Sequence, residues 1–69
     1  MKVITVTSSV ISKMAYANDV LIVVFENGSV YAYENVPHVV FQAILESGSR
    51  GRAFNALVKG TFEGVKLTD

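Results

Sequence analysis

The first half of the chain combines stretches of alternating hydrophobic and polar residues with one uninterrupted apolar run, and both patterns are typical of β-strands. The strongest segment joins the apolar, largely β-branched run Val20–Phe25 to an Asn27-Gly28 pair and then to a second run that holds Tyr31 and Tyr33. An Asn-Gly pair between two such runs is a strong signal for a tight turn. The sequence therefore predicts a β-hairpin, around which the rest of the chain is organised.

The length of the turn decides which side chains share a face of this hairpin. A two-residue loop would set Tyr31 opposite Val24, whereas a three-residue loop that ends in a left-handed glycine bulge sets Tyr31 opposite Val23. The longer loop gathers the largest side chains on one face, namely Leu21, Val23, Phe25, Tyr31 and Tyr33. We favour this register, because helices later in the chain can then bury that face.

The opposite face of the first hairpin strand is apolar as well, since it carries Val20, Ile22 and Val24. A single core in a domain this small seldom supplies more than roughly 3–5 kcal/mol, and disulfides, a metal or oligomerisation usually add the rest. The chain of 69 residues has no cysteine and one histidine, although 51% of its residues are hydrophobic. We therefore predict a homo-oligomer that associates through this second face.

Segments before the hairpin predict further strands. Residues 2–7 alternate, Ser8 and Ser9 interrupt the alternation, and residues 10–17 form a second and less regular strand pattern. Asn18-Asp19 then predicts a turn into the long apolar strand. The irregular pattern leaves the order of the strands open.

Segments after the hairpin predict two helices, at residues 37–47 and 49–59, each with an apolar stripe. Pro37 suits the first position of a helix, and Ser49 suits the cap of the second. Residues 61–69 are either a short edge strand or an unpaired tail. These elements predict one α+β domain: a three- or four-stranded antiparallel sheet with two short helices packed on one face.

Charge and hydropathy exclude several classes of protein. Six basic and six acidic side chains give zero net charge, without the positive excess that general nucleic-acid binders use. Any nucleic-acid contact would then be local. The run Val20–Phe25 is far too short to span a membrane, and the N-terminal segment lacks the apolar core of a signal peptide. Together with the lack of cysteine, this predicts a cytoplasmic protein without membrane association.

The most suggestive chemistry lies at the start of the second predicted helix, in the run Ser49, Arg50, Gly51 and Arg52. Free backbone amides and two positive charges can together hold a phosphate or a carboxylate. The simpler alternative is structural. Ser49 would cap the helix, Gly51 would permit close packing, and both arginines would be solvated.

Three further side chains carry the same ambiguity. Tyr31 and Tyr33 can stack bases, at roughly 1–3 kcal/mol for each stack, or they can close the core beneath the helices. Asn55 can bond a ligand or tether the loop before its helix. Lys13 and Lys59 would extend a basic patch if the fold brings them near.

No pattern indicates an enzyme, a metal site or a cofactor. His38 is the single histidine, and Ser8 and Ser9 have no histidine and carboxylate at a recognisable spacing. The glutamates are scattered singly, so no carboxylate pair is predicted. We predict a protein without catalytic residues.

The chain resembles a known family along most of its length, from about Thr7 to Lys59. The matching pattern is Ser8-Ser9-x-Ile11, Leu21-x-Val23-x-Phe25-x-x-Gly28-x-x-Tyr31-x-Tyr33-x-x-Val36-Pro37 and Ser49-x-Gly51-x-x-Phe54-Asn55. It is similar to the KTSC domain, named for its occurrence at the C-terminus of some lysyl-tRNA synthetases and found also as small bacterial and phage proteins. The resemblance implies a stand-alone RNA-binding module without established catalytic residues.

Two functional hypotheses follow. The first is a non-enzymatic module that binds RNA or a small nucleotide through residues 49–52, with a tyrosine nearby. The second is a small homo-oligomeric or partner-binding protein that uses Val20, Ile22 and Val24 and has no small ligand. An enzyme has the least support.

Overall fold

A computed structural model describes residues 2–6 and 10–68 as an antiparallel sheet with two helices on one face. The strands are β1 (Lys2–Thr5), β2 (Ile11–Ala17), β3 (Val20–Phe25), β4 (Val30–Tyr33) and β5 (Gly64–Lys66), and the helices are α1 (His38–Glu46) and α2 (Arg50–Leu57). The five strands lie side by side in chain order. This confirms the α+β class and both helices. Thr7, Ser8 and Ser9, with the strand end and turn predicted there, lie outside the described residues.

The sheet has one strand more than the largest number predicted. β5 pairs antiparallel with β4, and the backbone amide of Leu67 donates to the carbonyl of Val30 over 2.7 Å. Of the two alternatives for the tail, the edge strand is therefore correct. Pro37 is the N-cap of α1 rather than its first residue, a shift of one position. Neither α1 nor α2 is long and apolar enough to cross a membrane.

The two residues between β2 and β3 determine the geometry of the hairpin that these strands form. Ala17 pairs with Val20, so that Asn18 and Asp19 alone form the loop, with φ angles of 51° and 63°. Two successive left-handed residues make a type I′ turn, whose twist matches that of the flanking strands. Asn and Asp tolerate this conformation better than most residues, which confirms the turn predicted at this pair.

The second hairpin has the three-residue loop favoured from the sequence. The amide of Phe25 donates to the carbonyl of Ser29 over 2.9 Å, and Val23 pairs with Tyr31. Gly28 has a φ of 91°, a conformation that side chains disfavour. The register is thereby confirmed, and the large side chains face the helices.

The core lies between that face and the helices. Its fully buried side chains come from the sheet and from both helices, and the largest are Phe41, Phe54, Met14, Leu21, Ile44, Val23, Val36 and Val58. Phe25 and Tyr31 are partly buried against the same cluster. The core is therefore one-sided, and no helix formed by the described residues covers the opposite face of the sheet.

Tyr16 connects three parts of the fold. Its hydroxyl donates to the carbonyl of Val36 over 2.7 Å. The hydroxyl oxygen of Tyr16 also lies 3.1 Å from Oδ1 of Asp19. Its ring stacks on that of Phe41, with centroids 4.6 Å apart and planes 9° apart. One side chain thus joins β2 to the first turn and to the start of α1.

We expect Tyr16→Phe to fold but to be less stable. The ring still stacks on Phe41, whereas the buried carbonyl of Val36 loses its donor, and the melting temperature should fall by roughly 4–8 °C. Differential scanning calorimetry measures this change. The control is Tyr31→Phe, whose hydroxyl makes no hydrogen bond with the described residues and whose loss should change little. Equal melting temperatures for the two variants would contradict the role of Tyr16.

Candidate functional site

A cleft opens on the helix-bearing side of the sheet, beside the second hairpin turn. It has a volume of about 300 Å³. It is lined by Phe25, Asn27, Ser29, Tyr31, Tyr33 and Lys59. We call it the tyrosine cleft. Its size is at the lower end of the range for small-molecule sites.

The aromatic part of the cleft comes from β3 and β4. Tyr31 and Tyr33 are two residues apart and project from one face, with ring centroids 6.3 Å apart and planes 23° apart. The ring of Phe25 stands edge-on to Tyr31 at 5.5 Å. Tyr33 is 7% exposed and packs against Phe54, so it belongs to the core, whereas Tyr31 is only half-buried. Tyr33 therefore helps to close the core beneath the helices.

Two lysines flank the tyrosine pair. Lys59 lies two residues beyond the end of α2, and its amide donates to the carbonyl of Phe54 over 3.1 Å. Lys66 on β5 pairs directly with Tyr31, so its side chain starts on the same face of the sheet. Both lysines are exposed. Lys13, in contrast, pairs with Val24 on the other face, so the fold does not bring it to the cleft.

The predicted arginine site is a separate recess. Its volume is about 360 Å³, and it is lined by Thr5, Ser47, Gly48, Ser49 and Arg50. It shares no lining residue with the tyrosine cleft. The sequence predicted a tyrosine beside the arginines. Instead, the tyrosines line the tyrosine cleft, and Arg50 lines the separate recess.

Arg50 makes internal contacts. Its Nη1 donates to the carbonyl of Thr5 over 3.2 Å, and its Nη2 donates to the carbonyl of Leu45 over 3.3 Å. Arg50 is half-buried, and these two bonds tie the start of α2 to the end of β1 and to α1. Arg52 and Asn55 are exposed on α2, and Gly51 is half-buried in its first turn.

Ser49 occupies the N-cap of α2, as predicted, but its side chain makes no capping hydrogen bond. The hydroxyl of Ser47 instead accepts from the amide of Ser49 over 3.0 Å. Ser49 is therefore the cap of α2 by position, without a side-chain hydrogen bond to the helix. Within residues 2–6 and 10–68, no three histidine, aspartate or glutamate side chains are grouped to hold a metal ion.

Gly64 allows the ring of Tyr33 to pack on β5, and sequence analysis missed it. It pairs with Tyr33, and a Cβ at this glycine would lie 2.5 Å from Cε2 of that ring. The ring therefore covers the position where a side chain would stand, an arrangement known to support glycines in sheets. An isolated glycine in a strand often marks such a close approach, which was the available signal.

We expect Gly64→Ala to displace the ring of Tyr33 and reshape the cleft. Overpacking of this kind lowers the free energy of unfolding by about 1–3 kcal/mol, which urea denaturation measures. Gly48→Ala is the matched control, because no atom lies within 4 Å of its added Cβ, and a change below about 0.5 kcal/mol is expected. Equal stability of the two variants would show that the ring does not occupy this place.

Burial raises the pKa of the Tyr33 hydroxyl above its ordinary value of 10.0, and the charge of ionised Tyr31 raises it further. Burial also raises the pKa of Tyr16, with the hydrogen bond to Asp19 and the charge of that carboxylate adding to the effect. In each case the folded protein favours the neutral phenol. Both hydroxyls therefore keep their protons at neutral pH.

These shifts predict a loss of stability at high pH. Above the ordinary pKa of 10.0, the unfolded chain releases phenol protons that the folded protein retains, so the free energy of unfolding falls as pH rises. This contribution is complete below that pH and disappears through the folded pKa values. Urea denaturation between about pH 8 and 11 measures it. The double variant Tyr16→Phe/Tyr33→Phe should show a shallower fall, and an unchanged slope would contradict the assignment.

Comparisons with known proteins agree with the geometry of the fold. The sequence model of the KTSC domain matches residues 7–62. The crystal structure of a KTSC domain protein from Yersinia pestis is similar with a TM-score of 0.84 and 33% identity, over 97% of each chain. An uncharacterised protein from Stutzerimonas stutzeri is 41% identical over 86% of each chain. A protein from Tsukamurella paurometabola is 39% identical over 90% of this chain and 96% of its own.

Proposed function

This chain belongs to the KTSC domain family, and on that premise we propose that it is a non-enzymatic module that binds single-stranded RNA, one nucleotide of which occupies the tyrosine cleft. The observation that carries the proposal is the half-buried ring of Tyr31, with Lys59 lining the same cleft and Lys66 paired with Tyr31 on the neighbouring strand. An aromatic ring and nearby cations suit the two halves of a nucleotide. The base needs a stacking surface, and the phosphate needs positive charge.

The base would stack on Tyr31. Tyr33 supports this ring from the core side, and Phe25 stands as a wall perpendicular to it, with planes 86° apart. A ring held by such neighbours loses little conformational entropy when it binds. Stacking needs no particular base, because every base has an aromatic face. The expected binding is therefore tolerant of sequence.

We assign the phosphate contacts to Lys59 and Lys66 rather than to Arg50. The guanidinium of Arg50 already donates to two carbonyls. Both lysines are exposed, and Lys59 lines the cleft while Lys66 pairs with Tyr31 at its edge. With zero net charge on the chain, the number of phosphates contacted should be small. Two contacts to a single strand correspond to a slope of about −1.4 in a plot of log affinity against log salt concentration.

The proposal includes no chemical step. The side chains that line the cleft are aromatic rings, an amide, hydroxyls and one amine. General acid–base catalysis most often uses imidazole or carboxylate groups, and neither is found among the described residues that line the cleft. The cleft is suited to binding and release.

We expect Tyr31→Ala to weaken binding of a fluorescently labelled, mixed-sequence RNA by about five- to 150-fold, the range that corresponds to one lost stack. Lys59→Gln should weaken binding and make the salt slope shallower by about 0.7. Fluorescence anisotropy at several salt concentrations measures both effects. Lys13→Gln is the matched control, because this lysine lies on the other face of the sheet.

Two outcomes would contradict the proposal. One is unchanged affinity of Tyr31→Ala in a variant that keeps the wild-type circular dichroism spectrum. The other is loss of binding in Arg52→Gln alone, which would return the site to the start of α2. A parallel titration with mononucleotides separates the two sources of the ligand. Binding of RNA alone indicates a strand, whereas equal binding of a free nucleotide indicates a small ligand.

A further inference from the structure

The sheet face opposite the helices is apolar from one edge to the other. A row of directly paired residues crosses all five strands and consists of Val3, Ala15, Ile22, Ala32 and Val65. Val3 is 61% exposed and Val65 is 52% exposed. An antiparallel sheet that faces water usually carries polar residues at such positions. We call this surface the open face.

The neighbouring positions continue the pattern. Val20 and Val24 lie on either side of Ile22 along β3, and Val30 on β4 pairs with Val24. Lys13 on β2 pairs with Val24 and places a positive charge near one end of the face. A lysine can lay its methylene chain along apolar surface while its ammonium group stays in water. The open face is thus a continuous apolar surface with a polar margin.

The centre of the open face offers a ridge with two shallow flanks to a second copy, and Lys13 and Val30 beside Val24 mark one end of these flanks. The large side chains of β3 form a ridge, and on both sides of Ile22 the paired positions carry alanine, Ala15 on β2 and Ala32 on β4. A second copy turned about a two-fold axis can lay its own ridge beside the first, over the alanines. Two-fold contacts of this kind use the same patch on both subunits. Two sheets packed in this way stand about 10 Å apart.

The area fits a reversible contact. Five strands about 4.8 Å apart and about five residues of 3.3 Å each give a footprint of roughly 400 Å². A standard stable interface buries about 800 Å² on each partner, and weaker complexes bury less. A patch of this size is also comparable to the largest apolar patches on monomers, which are often functional. Two such footprints together bury roughly 800 Å², below the roughly 1,200–2,000 Å² of stable complexes, so the area fits a weak dimer that dissociates on dilution.

We propose that the open face is the interface of a homodimer in which two sheets pack face to face, with Ile22 near the two-fold axis. Val20, Ile22 and Val24, the residues expected from the sequence to mediate self-association, form its central ridge. The tyrosine clefts then lie on the outer sides of the dimer and stay accessible. The proposal does not depend on what the cleft binds.

Sedimentation equilibrium from roughly 1 µM to 500 µM tests this proposal. We expect the mass to rise reversibly from 7.5 kDa towards twice that value. Ile22→Lys should weaken association by at least about tenfold, since it places a charge at the centre of the contact. Val39→Lys is the matched control, because this valine is 71% exposed on α1, away from the open face, and its dissociation constant should equal that of the wild type.

A second variant keeps the test decisive if Ile22→Lys does not fold. Val3→Lys changes a largely exposed edge position of the same row, and it should weaken association while the circular dichroism spectrum stays that of the wild type. A monomer throughout the concentration range would overturn the proposal. So would a dimer whose affinity is unchanged in the folded face variants, because its interface would then lie elsewhere.

Discussion

The register between β3 and β4 decides what each side of this molecule can do. The three-residue loop that ends at Gly28 pairs Val23 with Tyr31, and this pairing turns the aromatic side chains towards the helices. The same pairing turns Val20, Ile22 and Val24 away from the helices. A shift of one residue would exchange the two faces of a strand. Both the cleft and the open face therefore depend on a single turn.

Other contacts hold the remaining elements to this hairpin. Tyr16 fastens the start of α1 to β2 through the carbonyl of Val36. Gly64 lets β5 approach the ring of Tyr33, and the same strand brings Lys66 opposite Tyr31. Structural and functional roles are thus joined at one edge of the sheet. The residues that complete the fold also position the charges beside the cleft.

Local signals in the sequence were sufficient for the hairpins and the helices, because turn pairs and apolar periodicity act within a few residues. The register followed from the sizes of the side chains, since only one loop length gathers the aromatic residues on one face. The same signals could not decide whether the C-terminal residues form the edge strand β5 or an unpaired tail. Gly64–Lys66 is three residues long, has no alternation of its own and is defined by its partner.

The candidate site was only partly predictable for the same reason. Tyr31 and Tyr33 were identified by their spacing, but the distance along the chain hides the contacts of Arg50, which reach as far as Thr5, 45 residues away. Lys59 was expected to extend an arginine patch and instead lines the cleft with the tyrosines. Long-range contacts of this kind are determined by tertiary packing, and a single sequence gives no local sign of them.

A two-dimensional NMR titration of the isotope-labelled protein with a short, mixed-sequence RNA tests most directly whether the cleft is the binding site. We expect saturable shift changes at Phe25, Ser29, Tyr31 and Lys59, and little change at residues 49–52. The same titration with mono-, di- and cyclic nucleotides would show how small a ligand suffices. Shifts confined to residues 49–52, or no shifts with any of these ligands, would contradict a nucleotide site in the tyrosine cleft.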